Sequence, residues 1–168
     1  MATPTLVATA GAADANTYAT LVEAEAYYDT QLYSTDWSAA TDDEKNKSLL
    51  FATRLIDEQI VWAGFKATEA QSLRWPREAL LDQDGFDVDN DTIPQFLINA
   101  VSELGGYLIG SNRTAESSTK GFSRMKAGEL ELVIDKSDRP AIIPSSVWQM
   151  LRPYGSLISS QPAKVYRT

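Results

Sequence analysis

Residues 93–109 form the most apolar stretch of the chain, opened by Ile93-Pro94. Proline suits a helix start, because its missing N–H would have no intrahelical partner there. Phe96, Leu97, Ala100, Val101, Leu104 and Leu108 follow at spacings of one, three and four. That spacing predicts a helix with a wide apolar face, broad enough to be the centre of a core. Gly105 and Gly106 weaken the helix but predict that another backbone comes close to it.

The segments before it carry their own punctuation. Residues 1–16 are rich in Ala, Thr and Gly and read as an extended arm, with Leu6-Val7 as a short edge strand and Gly11 as a turn. Thr20 with Glu23, and Thr41 with Glu44, are capping boxes, in which hydroxyl and carboxylate each satisfy a free backbone N–H. The first predicts a helix over 21–32, with Leu21, Ala24, Tyr28 and Leu32 on one side. The second predicts a longer helix to Ile60, with Leu49, Ala52, Ile56 and Ile60 as its stripe and Phe51 and Leu55 alongside. Trp37, in the loop between them, is expected to plug the core. Residues 67–72 are expected to add a helical turn.

After the central helix the period changes. Residues 110–120 are polar and without periodicity, which predicts a loop. Residues 122–126 and 129–134 alternate as strands do, around Ala127-Gly128. A turn there would place Lys126 opposite Glu129, Met125 opposite Leu130, Arg124 opposite Glu131 and Phe122 opposite Val133, each good pair contributing about 0.2–1 kcal/mol. Ile143-Pro144 repeats the helix-opening device, Val147, Trp148, Met150 and Leu151 form a short helix, and Pro153 stops it. The expected fold is mainly α: a small helical bundle of three longer helices plus a short C-terminal one, with one inserted β-hairpin. It is read as a single domain over 1–168, with an arm at 1–16 and a tail at 155–168.

Composition narrows the function. The 168 residues contain neither Cys nor His, which removes thiolate metal sites and the commonest catalytic base. No apolar run approaches a membrane span. The start lacks the pattern of a signal peptide, so the expected place of synthesis and residence is the cytoplasm. Net charge is −8 and uneven. Residues 1–110 carry 6 basic and 18 acidic side chains, a net −12; residues 111–168 carry 9 and 5, a net +4. The overall sign argues against a sequence-independent nucleic-acid binder, which needs clustered cations to release phosphate counterions.

Three clusters invite chemistry, and each has a plainer reading. The run Asp82, Asp84, Gly85, Asp87, Asp89, Asp91 suggests calcium, but an EF-hand register puts Leu80 in the first ligand position and lacks the final bidentate Glu. A solvated turn whose Asp residues bond their own backbone explains it better. The scattered carboxylates sit at helix starts and in turns, so no acid–base pair stands out, and neither enzyme activity nor a cofactor is expected. Arg113, Lys120, Arg124 and Lys126 with Phe122 form the one basic and aromatic segment, the pattern on which single strands stack. Pairing of Arg124 and Lys126 with strand carboxylates is the plainer account. Trp75-Pro76-Arg77 reads as a packed corner, with Arg77 bonding carbonyls or loop carboxylates and Pro76 holding Trp75 extended.

Taken in order, several motifs resemble a family of tailed bacteriophages. They are Asn16-Thr17-Tyr18 before Glu23-Ala24-Glu25-Ala26-Tyr27; the Thr41 cap with Ala52-Thr53-Arg54-Leu55-Ile56-Asp57; Trp75, Pro76 and Arg77 followed by Asp84-Gly85 and Ile93-Pro94; Lys126-Ala127-Gly128; and Leu151-Arg152-Pro153-Tyr154. The resemblance covers residues 6–155. Members are often labelled putative DnaT-like single-stranded-DNA-binding proteins, and they resemble head-to-tail adaptor, or head completion, proteins. The resemblance implies a structural virion protein of the neck, made in the host cytoplasm. It implies a homo-oligomeric ring, expected to be a dodecamer, between the portal protein and the downstream tail or nozzle protein. Double-stranded DNA would pass through its channel without sequence readout, and no membrane is involved. On charge, Arg113, Lys120, Phe122, Arg124, Lys126, Tyr154, Lys164 and Arg167 are the expected partner contacts. The alternative is a single-stranded-DNA-binding module built on the 113–126 segment.

Overall fold

The computed structural model describes residues 3–115, 124–127, 130–133 and 140–158. Its longest helices, α3 (Asp42–Gln59) and α4 (Gln95–Gly110), pack along their length and form the centre of the molecule. They run antiparallel. Near the end of α4, a Cβ at Gly105 would meet Ser48 Oγ at 3.2 Å and Leu49 Cδ2 at 3.4 Å, near the start of α3. At the other end Trp62, just past α3, and Phe96, just inside α4, touch the same indole, Trp75. Between the helices lie Leu49, Ala52, Leu55 and Ile56 from one side and Leu97, Ala100, Val101 and Leu104 from the other, all buried. This is the stripe the spacing predicts. Phe96 and Leu108 pack at its rim.

Three shorter helices close the core: α1 (Leu21–Tyr28), α2 (Thr35–Ala39) and α5 (Ser145–Leu151). Both capping boxes form. The Thr20 hydroxyl accepts from Glu23 N at 3.2 Å while the Glu23 carboxylate accepts from Thr20 N at 2.7 Å, and Thr41 with Glu44 repeats the arrangement. Pro94 and Pro144 stand at the N-cap positions of α4 and α5, one residue before the first helical position. No helix among the described residues is long and apolar enough to cross a membrane.

Among the described residues, three two-stranded antiparallel sheets join the helices, so the fold is mixed, where a mainly α fold with one hairpin was expected. They are β1 (Ile60–Trp62) with β6 (Gly155–Leu157), β2 (Phe65–Lys66) with β3 (Arg77–Glu78), and β4 (Arg124–Ala127) with β5 (Leu130–Val133). The hairpin at β4–β5 is the expected one, in a different register. Lys126 stands opposite Glu131, Met125 opposite Leu132, Arg124 opposite Val133 and Ala127 opposite Leu130. This replaces the expected partners Glu129, Leu130 and Glu131 of Lys126, Met125 and Arg124. Residues 128 and 129 lie outside the described residues. Phe122 lies outside the described residues.

Other expectations give way for local reasons. The first helix stops at Tyr28, where the Thr30 hydroxyl bonds back to the Tyr27 carbonyl at 2.7 Å and competes with the helical pattern. Leu32 is consequently 84% exposed rather than buried. Trp37 does plug the core, but from the short helix α2. Residues 67–72 are not helical; the Gln71 side chain takes up Thr68 N, Leu73 O and Pro76 O. Gly106 admits a side chain rather than a backbone: a Cβ there would collide with the Tyr28 hydroxyl. Val7 is not in a strand, though its N–H donates to Asn16 Oδ1 at 2.8 Å and its carbonyl accepts Asn16 N at 2.9 Å. Gly11 is the expected turn, with φ 70°.

The α3–α4 contact sets the stability. Leu104→Ala, between the two helices, is expected to cost about 2–5 kcal/mol by cavity formation. Thr41→Ala, which removes a cap at the surface, is expected to cost about 1 kcal/mol. Urea unfolding of the two variants beside the wild-type chain checks the ranking.

Candidate functional site

The two ends of the α3–α4 pair carry different surfaces. At one end, the chain leaving α3 turns back through β1 and β2 and meets the corner Trp75-Pro76-Arg77. Trp75 is buried, edge-on to Trp62 at 5.4 Å, to Phe96 at 5.5 Å and to Tyr154 at 6.4 Å between ring centroids. Phe96 and Tyr154 stack at 4.0 Å. The Trp75–Pro76 bond is cis. Arg77, also buried, donates to Ala63 O at 2.6 Å, Gly64 O at 2.7 Å and Arg74 O at 3.0 Å. Burial pulls its pKa below the ordinary arginine value, but a guanidinium remains charged in a protein. Of the two partners foreseen for it, carbonyls and not loop carboxylates are the ones used. Gly64, at φ 66°, fits only because it lacks a Cβ; one there would lie 2.5 Å from Glu78 O.

A buried polar node fastens this corner to α3. The Tyr18 hydroxyl donates to the Asp57 carboxylate at 2.7 and 2.8 Å and accepts the backbone N–H groups of Arg74 and Trp75 at 2.9 and 3.2 Å. Burial pushes the Asp57 pKa above the ordinary carboxylate value, opposed by the hydrogen bonds from Tyr18 and Arg74. Burial, reinforced by Asp57, pushes the Tyr18 hydroxyl well up as well. Tyr18 therefore remains a donor at neutral pH.

Beyond the corner runs the acidic loop. Asp82 Oδ1 accepts Asp84 N at 2.9 Å and Phe86 N at 2.8 Å, and Gly85 takes φ 88°. This is the turn that bonds its own backbone. No group of three His, Cys, Asp or Glu that could hold a metal ion occurs among the described residues. Asp84, Asp87, Asp89 and Asp91 are exposed. The loop passes near Tyr154, whose hydroxyl pKa is raised by burial first and then by Asp82 and Asp84.

The opposite end holds an open cleft between α1, α2 and the last turns of α4, lined by aromatic and acidic side chains. Tyr28 stacks on Trp37 at 4.5 Å and donates to Ser102 O at 3.1 Å; Tyr27 donates to the Glu103 carboxylate. Burial raises both tyrosine pKa values, with Glu103 adding to the rise, so both hydroxyls stay protonated. Tyr33 is 89% exposed at the rim, and Tyr107 is partly exposed with the Arg113 guanidinium 5.0 Å from its ring centre.

Of the expected contact residues that are described, Arg113 and Tyr154 lie at different ends of the helix pair. Arg113 lies beside this cleft, where its Nε also donates to Ala141 O at 3.1 Å. Tyr154, another expected contact, is buried at the far end, where its ring stacks on Phe96 and belongs to the core. Arg124 and Lys126 are on β4, while Lys120, Phe122, Lys164 and Arg167 lie outside the described residues. The cleft itself escapes sequence reasoning, because Tyr27 and Glu103 are 76 residues apart. The only trace is the small residue Gly106, which leaves room for Tyr28.

A family model described as "putative DnaT-like ssDNA binding protein" matches residues 5–168. The chain belongs to that family. The match takes in both ends of the helix pair, so the Trp75 corner and the aromatic cleft of this DnaT-like protein both fall within the family's span. No curated protein and no solved structure matches the chain.

Two measurements probe the corner. Arg77→Lys retains the charge but cannot reach three carbonyls with a planar fork, and a loss of about 1–3 kcal/mol in denaturant unfolding is expected. Asp57 titrates above its unfolded value, so the stabilisation linked to its proton is full below the unfolded pKa and is lost as pH rises through the folded one. The stability of the wild-type chain relative to Asp57→Asn is therefore expected to rise as pH falls from about 7 towards 4, a trend unfolding curves at stepped pH would reveal.

Proposed function

We propose that this DnaT-like protein is a structural, non-catalytic subunit of a head-to-tail adaptor ring in the neck of a tailed-phage virion. The observation that carries the reading is that large apolar side chains are exposed at both ends of the α3–α4 pair. Leu32 and Tyr33 are exposed at the α1–α2 end, and Val61 and Ile158, which line one cleft beside β1, are exposed at the other. Exposed large apolar side chains grouped on a surface mark contacts. Different apolar side chains exposed at the two ends suit a head-to-tail contact between identical chains, which closes into a ring when the rotation permits. The ring of twelve, the portal protein above it and the tail or nozzle protein below come from the phage-family resemblance. The acidic loop gives such a ring a surface that repels phosphates, so that double-stranded DNA slides past without being held.

The second reading is a single-stranded-DNA-binding module, and the family description favours it more directly than it favours the first. Its carriers are Arg113, Lys120, Phe122, Arg124 and Lys126, the basic and aromatic segment. The strongly acidic remainder of the chain weighs against it, because phosphate affinity comes from counterion release by clustered cations.

Fluorescence anisotropy with a labelled single strand, at about 50 and 200 mM salt, separates the two. The adaptor reading expects no saturable binding at micromolar protein in either buffer. Micromolar affinity that falls steeply with salt, and is lost in the double variant Arg124→Glu/Lys126→Glu, would establish the second reading. Localisation in purified particles, at the capsid vertex with the portal, is the outcome expected of the first.

A further inference from the structure

We propose that the aromatic cleft at the α1–α2 end receives the basic 159–168 segment of a second copy of this chain. The inference rests on the ring reading and names the contact that would join its subunits. Inside the cleft, Asp36 and Glu103 have no ion pair among the described residues, whose salt bridges are Lys45–Glu25, Lys47–Asp43 and Arg54–Glu58. Tyr33 and Tyr107 expose ring surface, and the Arg113 guanidinium over Tyr107 shows that this wall takes a cation. Carboxylates and aromatic faces together suit an extended segment with Lys or Arg side chains.

Residues 159–168 read Ser-Ser-Gln-Pro-Ala-Lys-Val-Tyr-Arg-Thr, with two cations and no acidic residue. The segment follows Ile158, whose N–H donates to Gln59 O at 2.8 Å, at the end of α3 remote from the cleft. An α-helix of 18 residues is about 27 Å long. Six residues, the distance from Ile158 to Lys164, reach about 20 Å when fully extended. Its own cleft is thus at the limit of the segment's reach, and filling it would require a chain pulled straight, at the full entropic cost. A neighbour placed head to tail brings the segment's origin close to the cleft without that demand.

Charge swapping tests the contact in the full-length chain. Asp36 is exposed, so Asp36→Lys leaves the core intact. In sedimentation across a concentration series, Asp36→Lys and the double variant Lys164→Glu/Arg167→Glu are each expected to weaken self-association about tenfold or more. The triple variant is expected to recover most of it. A photo-crosslinker at Tyr33, in a mixture of isotopically light and heavy chains, is expected to capture residues 159–168 of the other chain. A wild-type chain that stays monomeric at all concentrations, association indifferent to the swaps, or cross-links confined to one chain would each overturn the proposal. None of those results bears on particle localisation, which decides the adaptor reading separately.

Discussion

Everything in this molecule hangs on the antiparallel contact between α3 and α4. Each helix alone is an amphipathic segment whose apolar face needs a cover. Together they exclude water from Leu49, Ala52, Ile56, Leu97, Val101 and Leu104. Several of the other described elements are attached at the two ends of this pair. The Trp75 corner, the small sheets and the acidic loop sit where α3 ends and α4 begins; α1, α2 and the aromatic cleft sit where α4 ends. The glycines fit this division. Gly105 lets α4 lie close to Ser48 and Leu49 of α3, and Gly106 makes room for Tyr28 of α1. The weakened helical propensity at these two positions is offset by packing that a larger residue would prevent.

Long helices and their starts were legible because their signals are local. Two capping boxes, two Ile-Pro pairs and a 3.6-residue period place α1, α3, α4 and α5 within a few residues. What was not legible depends on partners far along the chain. β1 pairs with β6 across almost a hundred residues, with Ile60 opposite Leu157, and three-residue strands have no period to detect. The short helix α2 lacks a side-chain cap, so nothing in the sequence announces it. The hairpin shows an intermediate case. Alternation located both strands, but opposite charges can be matched in more than one register, and Lys126 stands opposite Glu131 rather than Glu129.

The same contrast governs the surfaces. The acidic loop could be read from its composition, and the role of Asp82 in bonding its own backbone follows from what Asp does in turns. Arg77 was expected to bond carbonyls or carboxylates, and its burial decides between them, since the carbonyls of Ala63, Gly64 and Arg74 sit within its fork. The tyrosines were a different matter. Tyr18, Tyr27 and Tyr28 look alike in sequence, yet one anchors a loop to α3, one binds a carboxylate and one fills the space over a glycine. Their roles are set by Asp57, Glu103 and Gly106, none of them a neighbour in the chain.

The charge distribution constrains function independently of any family name. Residues 1–110 carry a net −12, and 111–168 carry +4. A polyanion approaching the first part meets repulsion that salt weakens but does not reverse. Attraction is available only to the later segment, and the same attraction acts on the acidic part of another copy of the chain. On the proposed ring contact, a strand of DNA and a neighbouring subunit would compete for the same cations. The neighbour would offer the carboxylates and aromatic faces of the cleft, whereas DNA offers a denser array of charge. Salt separates them, because counterion release makes phosphate binding fall steeply with ionic strength. A contact that also uses cation–π and apolar surface retains part of its strength as salt is raised.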